Sequence, residues 1–168
     1  GKYDADPTAG KVRDPGIMAQ ESSDSTAPTF TSAATNNAGT QVILTYNEAL
    51  SSTTAAASAF AVTTNGSANN VTGVSISGST VVLTVNTEIK NDDTVTVAYT
   101  DPSGSNDSNA VQDAAGNDAA TLSAQSVTNN STVAGVAPTF TSAATNTAGT
   151  QVILTYNEAL SSTTAAAS

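Results

Sequence analysis

A long stretch of this chain occurs twice. Residues 27–58 return as residues 137–168 with a single change, from Asn37 to Thr147. Aligning Pro28 with Pro138 gives a repeat period of 110 residues. This period is the size of a small independent domain and far longer than a solenoid unit, so each repeat is expected to have its own hydrophobic core.

The period divides the chain into three parts. We predict a non-repeating leader or adaptor over 1–26, a complete repeat over 27–136 and the first part of a second, truncated repeat over 137–168. A segment as short as the last one cannot bury enough surface to fold alone. Two completions are compatible with the sequence: further residues of the same repeat, or a neighbouring subunit. We expect continuation, because tandem repeats normally fold from their own sequence.

Hydrophobic residues alternate with polar ones along the complete repeat, which is typical of half-buried strands. Five segments of the repeat show this alternation. With a further strand over 29–34 and another over 121–127, the repeat has seven short strands separated by Asn-, Gly- and Ser-rich turns. The sequence therefore predicts an all-β fold, a seven-stranded Ig-like Greek-key sandwich in a tandem array. The predicted interior residues are Leu44, Tyr46, Leu83, Val85, Val95, Val97 and Tyr99.

Two connections have a recognisable local signal. Residues 77–80, Ser-Gly-Ser-Thr, predict a tight hairpin. Residues 51–59 are rich in Ala, Ser and Thr, which is compatible with either a single helical turn or a loop.

The charge balance narrows the range of partners. The net charge is −10, and Lys90 is the only basic residue of the complete repeat. Such a surface disfavours nucleic acid and suits either simple solvation or divalent cations. No apolar run reaches the roughly 18 residues of a membrane span. The expected partners are neighbouring repeats or subunits, with a scaffold at the leader.

Catalysis is not expected. The chain contains no histidine and no cysteine, so acid–base chemistry would fall to carboxylates alone. A glycosidase needs two carboxylates across a cleft, but aromatic residues for a sugar platform make up only 4% of the chain. The carboxylates considered for such a pair are Glu48, Glu88, Asp92, Asp93, Asp101, Asp107, Asp113 and Asp118.

The long connection over 101–120 carries the densest set of oxygen ligands. Calcium binds six to eight such ligands, but the spacing here is not that of an EF-hand. The alternative is that residues 113–117 form a turn with a positive φ at Gly116, which needs no ion. The candidate calcium ligands are Asp101, Asp107, Asp113 and Asp118, with side-chain carbonyls from Asn106 and Asn117.

Four segments resemble the Swm-type repeats of cyanobacterial swimming-motility surface proteins, a group of bacterial Ig-like repeats. The resemblance begins at Ala27 and runs to the end of the chain, and the phrase Asp-Ala-Ala-Gly-Asn-Asp-Ala-Ala is its most specific part. It implies a long extracellular array and carries over no catalytic residue. The segments are residues 27–32, 44–50, 94–102 and 111–122.

These observations predict a structural protein, an extracellular spacer or adhesive array of Ig-like domains at a cell surface. Two alternatives remain open. The first is a virion or filament subunit that docks through its leader and projects its repeats outward. The second is a calcium-dependent adhesin.

Overall fold

The computed structural model describes residues 24–160. The predicted leader therefore lies outside the described residues, apart from its last three. The final eight residues of the predicted second repeat lie outside them as well.

The complete repeat forms eight antiparallel strands in two sheets of four. One sheet has the order β1-β2-β6-β5 and the other β4-β3-β7-β8. This arrangement is that of an Ig-like sandwich. The strands are β1 Phe30–Thr35, β2 Gln41–Tyr46, β3 Phe60–Thr64, β4 Ser67–Asn69, β5 Val71–Ser77, β6 Thr80–Val85, β7 Val95–Tyr99 and β8 Leu122–Val127.

The all-β class is confirmed, and the structure adds one strand to the seven expected. The additional strand, β4, has only three residues and no alternating pattern in its sequence. It forms because Asn65 and Gly66 both have a positive φ, 52° and 79°, in a two-residue turn after β3. That turn type matches the natural twist of a hairpin and returns the chain alongside β3.

The inner faces of the two sheets form a single core. All seven predicted interior residues are buried, and Leu44, Leu83, Val97 and Tyr99 are completely inaccessible. Val82 and Thr84 point outward from β6, as period-two alternation requires.

The first and last strands of the repeat join the two sheets along one edge. Thr35 donates its N–H to the carbonyl oxygen of Thr128 at 2.9 Å, and the Thr128 N–H donates to the carbonyl oxygen of Ala33 at 2.9 Å. These bonds form a short parallel bridge between the end of β1 and the end of β8.

The structure contains both connections that have a recognisable signal in the sequence. The predicted tight hairpin joins β5 to β6, with Gly78 at a φ of 57°. The segment over 51–59 is a loop that ends in a single 3-10 turn, Ala57–Ala59.

The second repeat is represented by one hairpin. Its strands β9, Phe140–Thr145, and β10, Val152–Tyr156, pair in the register of β1 and β2 shifted by the repeat period. We call residues 29–47 the first hairpin and residues 139–157 the second hairpin.

The same local interactions shape both hairpins. Asn36 and Asn146 each accept hydrogen bonds from two backbone N–H groups across the turn. In each hairpin an edge-to-face aromatic pair, with ring centroids 6.1 Å apart, closes the open end. The hairpin conformation is therefore set by local sequence.

The surroundings of the two hairpins differ completely. Val42 and Leu44 are 0% exposed in the first hairpin, whereas Val152 and Leu154 are 69% and 52% exposed in the second. Among the described residues, β10 pairs with β9 alone, whereas β2 also pairs with β6.

We expect Leu83→Ala to lower the free energy of unfolding by about 2–5 kcal/mol, because the cavity left in a closely packed core only partly collapses. Urea denaturation followed by circular dichroism measures this change. The matched control is Val82→Ala on the outward face of the same strand, which should cost much less. Equal losses for the two variants would contradict the assignment of faces.

Candidate functional site

The long connection between β7 and β8 is anchored by a hydrogen bond to the core. The Val111 N–H donates a hydrogen bond to the hydroxyl oxygen of Tyr99 at 3.0 Å, and both residues are completely buried. Burial is the main cause that raises the pKa of Tyr99 to about 12, so its hydroxyl remains protonated near neutral pH. The connection therefore rests on the core and is fixed at its midpoint.

Three of the four predicted calcium ligands are linked by hydrogen bonds through this connection. The Asp107 N–H donates to Asp118 Oδ2 at 2.9 Å, and Ser103 donates to both Asp101 and Asp107 through its N–H and hydroxyl. Asn106 Oδ1 accepts the N–H of Asp118 at 3.2 Å. We call Asp101, Asp107 and Asp118 the loop carboxylates.

The loop carboxylates have contrasting environments. Asp118 Oδ1 is buried and accepts no hydrogen bond from the described residues. Burial, followed by the nearby charges of Asp101 and Asp107, raises the pKa of Asp118 above its usual value. Hydrogen bonds from the Ser103 hydroxyl and the Asn109 N–H lower the pKa of Asp107. A cation beside Asp118 would offset the unfavourable burial of its charge.

The fourth predicted ligand, Asp113, lies in a separate turn. Its Oδ1 accepts the N–H groups of Ala115 and Asn117 at 2.8 and 2.9 Å, and Gly116 has a φ of 86°. Burial acts to raise the pKa of Asp113, but hydrogen bonds from Asn117 and the turn N–H groups outweigh it and hold that pKa below its usual value. The structure thus contains the turn predicted as the alternative.

A second acidic group forms around Asp113. Its carboxylate, Asp24 and Glu48 each have an oxygen within 4.8 Å of the others, a proximity that the loop carboxylates do not reach. Burial, then repulsion by Asp24 and Asp113, raises the pKa of Glu48. Neither Asp24 nor Glu48 was among the predicted ligands, because both are distant from Asp113 in sequence.

Two of the four segments that carry the family resemblance, residues 44–50 and 111–122, meet at this group. The Ser51 N–H donates to the carbonyl oxygen of Gln112 at 2.8 Å, and Leu50 forms an isolated bridge with Asp113. Asn117 also donates through its side chain to the carbonyl oxygen of Asp24 at 3.0 Å. The spacing within each motif was visible in sequence, but their contact depends on the fold.

The segment that follows β8 is hydrogen-bonded to the loop between β6 and β7. Asn129 Nδ2 donates to the carbonyl oxygens of Lys90 and Asp93 at 2.6 and 2.9 Å, and Ser131 Oγ donates to that of Ile89 at 2.7 Å. The Asn91 N–H donates in turn to the carbonyl oxygen of Val133 at 2.8 Å. We call residues 129–133 the linker clip.

The linker clip also contacts the turn of the first hairpin. Thr132 donates through its N–H and hydroxyl to the carbonyl oxygen of Asn37, at 2.9 and 3.1 Å. Gly39 lies so close to the Ile89 carbonyl oxygen that an added Cβ would be 2.0 Å from it. Its φ of 67° and this close approach both require glycine.

Two open grooves lie on the complete repeat. One of about 580 Å³ runs beside β3, β4 and β5, and one of about 500 Å³ lies between the 54–59 loop and residues 100–109. Both are lined by apolar, hydroxyl and amide side chains, without a carboxylate among their lining residues. Within the described part of the chain, no helix has the length and apolar character to cross a membrane.

Comparison with known families gives a match over the first part of the chain. Residues 23–104 match the family model described as a putative flagellar system-associated repeat. This match confirms the Swm-type resemblance and includes three of the four segments that carry it, whereas residues 111–122 lie outside the matched range. The comparison with curated proteins gives no match.

Solved structures of the bacterial S-layer protein SbsC are similar to this chain. Domains 1–6 of SbsC share 22% identity with a TM-score of 0.50, covering 77% of this chain and 18% of that one. The N-terminal part of SbsC shares 20% identity with a TM-score of 0.48, covering 82% and 36%. The chain thus spans well under half of either structure, and at this identity the likeness concerns the fold alone.

We expect Asn129→Ala to lower the free energy of unfolding by about 1–3 kcal/mol, because two carbonyl groups lose a shared, partly buried donor. Chemical denaturation of the complete chain measures this effect. The control is Asn130→Ala, since Asn130 takes part in the linker clip through its backbone N–H, which donates to Thr35 Oγ1 and is kept in the variant. A loss for Asn130→Ala as large as that for Asn129→Ala would contradict this role of the Asn129 side chain.

Proposed function

We propose that this chain is part of an extracellular structural array at a cell surface, in which Ig-like repeats serve as spacers. The observation that carries the proposal is the linker clip. It fixes the path of the chain as it leaves the complete repeat, so that the start of the next repeat is held close to a defined point of the previous one. A non-enzymatic role fits this arrangement.

The short free linker supports the spacer role. Val133 is the last residue that hydrogen-bonds to the rest of the complete repeat, and Thr139 is the first that hydrogen-bonds within the second hairpin. Six Cα–Cα steps separate these two residues, so the connection spans at most roughly 22 Å when extended. A connection this short restricts the separation of neighbouring repeats, as a spacer of regular length requires.

The family match and the acidic surface are consistent with this role. The matched family is described as flagellar system-associated, which associates the repeat with the cell exterior. The described residues contain one lysine against ten acidic side chains. Mutual repulsion between such repeats favours extension and solubility.

Protease treatment of intact source cells tests the surface location. Peptides from residues 59–136 should be released into the medium and detected there by mass spectrometry, while a cytoplasmic marker protein stays inside. Release only after lysis would contradict the proposal. Recovery of the peptides in purified virus particles would support the virion alternative instead.

A second candidate function is calcium-dependent stiffening or adhesion through the loop carboxylates. The specific observation in its favour is Asp118 Oδ1, a buried carboxylate oxygen without a hydrogen bond from the described residues. Asp101, Asp107 and the Asn106 carbonyl supply further hard oxygen ligands in the same connection. Asp113 would act separately, with Asp24 and Glu48.

If calcium binds the loop carboxylates, the chain should gain stability of RT ln(1 + [L]/Kd), about 2.7 kcal/mol at a hundredfold excess over Kd. Thermal unfolding in millimolar calcium and in chelator measures the gain as a rise in Tm. Asp118→Asn should abolish this rise, whereas Asp113→Asn should preserve it. An unchanged Tm in the parent protein would reject the site.

A further inference from the structure

The turn between β3 and β4 contains the only Asn–Gly pair of the chain, Asn65–Gly66. Both residues are exposed, and the Gly66 N–H donates no hydrogen bond to the main chain within residues 24–160. Because glycine has no side chain, its main-chain nitrogen is the least hindered toward the side chain of the preceding residue. The turn therefore places a nucleophile, the Gly66 nitrogen, next in the chain to an electrophile, the amide carbon Cγ of Asn65.

These two groups react with each other and then with water. A solvent base removes the Gly66 N–H proton, and the nitrogen attacks Asn65 Cγ to form a succinimide ring. The bond between Cγ and Nδ2 breaks, and ammonia leaves. Water then opens the ring at either carbonyl, which leaves aspartate or isoaspartate at position 65. Water is the only co-reactant, so the reaction needs no enzyme, oxidant or cofactor.

In the folded chain the Asn65 amide is held by the segment that leads into β7. Its Nδ2 donates to Asp93 Oδ1 at 2.6 Å, and its Oδ1 accepts the N–H and the hydroxyl of Thr94 at 2.9 and 3.2 Å. The Asn65 N–H also donates to the carbonyl oxygen of Thr94 at 2.8 Å. Ring closure turns the amide toward its own main chain and breaks its side-chain bonds. The native contacts therefore oppose the reaction, which requires local opening of the turn.

Asp93 connects Asn65 to the linker clip. The Asp93 Oδ2 accepts the N–H of Lys90 at 2.7 Å, which closes the loop between β6 and β7 on itself. The carbonyl oxygens of Lys90 and Asp93 both accept Asn129 Nδ2. This loop is thus held by Asn65 on one side and by Asn129 on the other, so a change at position 65 is transmitted to the linker clip through a single loop.

Deamidation reverses the interaction between positions 65 and 93. It replaces the donor Nδ2 with a carboxylate oxygen, so two negative charges meet where a hydrogen bond of 2.6 Å had joined the side chains. Lys90, the only basic residue of the complete repeat, already pairs with Glu88 and is not placed to offset this repulsion. Isoaspartate also lengthens the main chain of the turn, because the chain then passes through the side-chain carbons.

We propose that Asn65 is a site of spontaneous deamidation, that its contacts with Asp93 and Thr94 keep it unreacted in the folded chain, and that its conversion to a carboxylate loosens the linker clip. Because refolding does not restore the amide, a chain that has reacted keeps the loosened clip. The proposal concerns a chemical modification of the repeat and does not depend on the spacer role.

Peptide mapping by mass spectrometry tests the protection of Asn65. The full 168-residue chain is kept at mildly alkaline pH, either folded or in guanidinium chloride, and the loss of asparagine at position 65 is followed with time. We expect the folded chain to react roughly tenfold more slowly or less, because ring closure must wait for local opening. Asp93→Ala should raise the rate in the folded chain several-fold and leave the rate in the denatured chain unchanged.

Two further variants support this comparison. Asp92→Ala removes the same charge from the same loop, but the Asp92 carboxylate lies beside Gly135, so this variant should react at the rate of the parent. Thr94→Val removes the hydroxyl that donates to Asn65 Oδ1 and should raise the rate by less than Asp93→Ala. Circular dichroism shows whether each variant is folded, and Thr94→Val takes the place of Asp93→Ala if the latter is not.

Hydrogen exchange tests the effect on the linker clip. Asn65→Asp introduces the product of the reaction directly, and we expect the main-chain N–H groups of residues 129–133 to exchange several-fold faster than in the parent. The rescue variant combines Asn65→Asp with Asp93→Asn. Its amide at position 93 donates to the carboxylate at position 65 and still accepts the Lys90 N–H, so the exchange rate should return to that of the parent. A peptide from β2 should exchange equally in all three chains.

Three results would overturn the proposal. Equal rates of deamidation in the folded and the denatured chain would show that the native contacts do not protect Asn65. A folded Asp93→Ala variant that reacts no faster than Asp92→Ala would exclude Asp93 from that protection. Exchange at residues 129–133 that Asn65→Asp leaves unchanged, or that the rescue variant fails to restore, would separate the turn from the linker clip.

Discussion

The pairing of β2 with β6 is the contact on which the rest of the repeat depends. It joins the first hairpin to the remainder of its sheet and places Leu44 and Leu83 at the centre of the core. Among the described residues, the second hairpin has no such partner strand. Its strands, turn and aromatic pair persist in the same geometry, but its apolar side chains are left in solvent. Local sequence thus determines the hairpin, and burial by a β6-type strand makes it part of a domain.

The fold separates acidic residues that lie close together in the sequence. Asp107, Asp113 and Asp118 are close in the chain, and the connection that contains them is long enough to close around one ion. The turn around Gly116 instead places Asp113 close to Glu48, which lies 65 residues earlier in the sequence (113 − 48). Asp118 stays with Asp107 through a backbone hydrogen bond. The carboxylates therefore form two groups with different electrostatic surroundings.

Alternation of apolar and polar residues was sufficient to predict the class of fold and the interior residues of β2, β6 and β7, and the turn residues Ser-Gly-Ser-Thr predicted the hairpin at Gly78. Alternation was insufficient for β4, because a strand of three residues at the edge of a sheet, paired with β3 alone, is too short to show alternation. The linker clip was also beyond prediction. Its hydrogen bonds join Asn129 and Ser131 to main-chain carbonyls near Lys90. Because every residue has a main-chain carbonyl, the residue type of the acceptor does not reveal such a contact. The contact of Glu48 with Asp113 likewise depends on two loops meeting in space.

The parallel bridge between β1 and β8 has a mechanical consequence. The chain enters the repeat at the start of β1 and leaves it after β8, and the two strands run in the same direction where Ala34 lies beside Thr128. Tension applied between the two ends of a repeat therefore pulls these strands past each other in opposite directions. Under such shear, the hydrogen bonds of Ala33 and Thr35 with Thr128 and those of the linker clip share the load and must fail together. A repeat joined in this way resists stretching at the point where force enters it, which suits a chain whose neighbours are pulled in series.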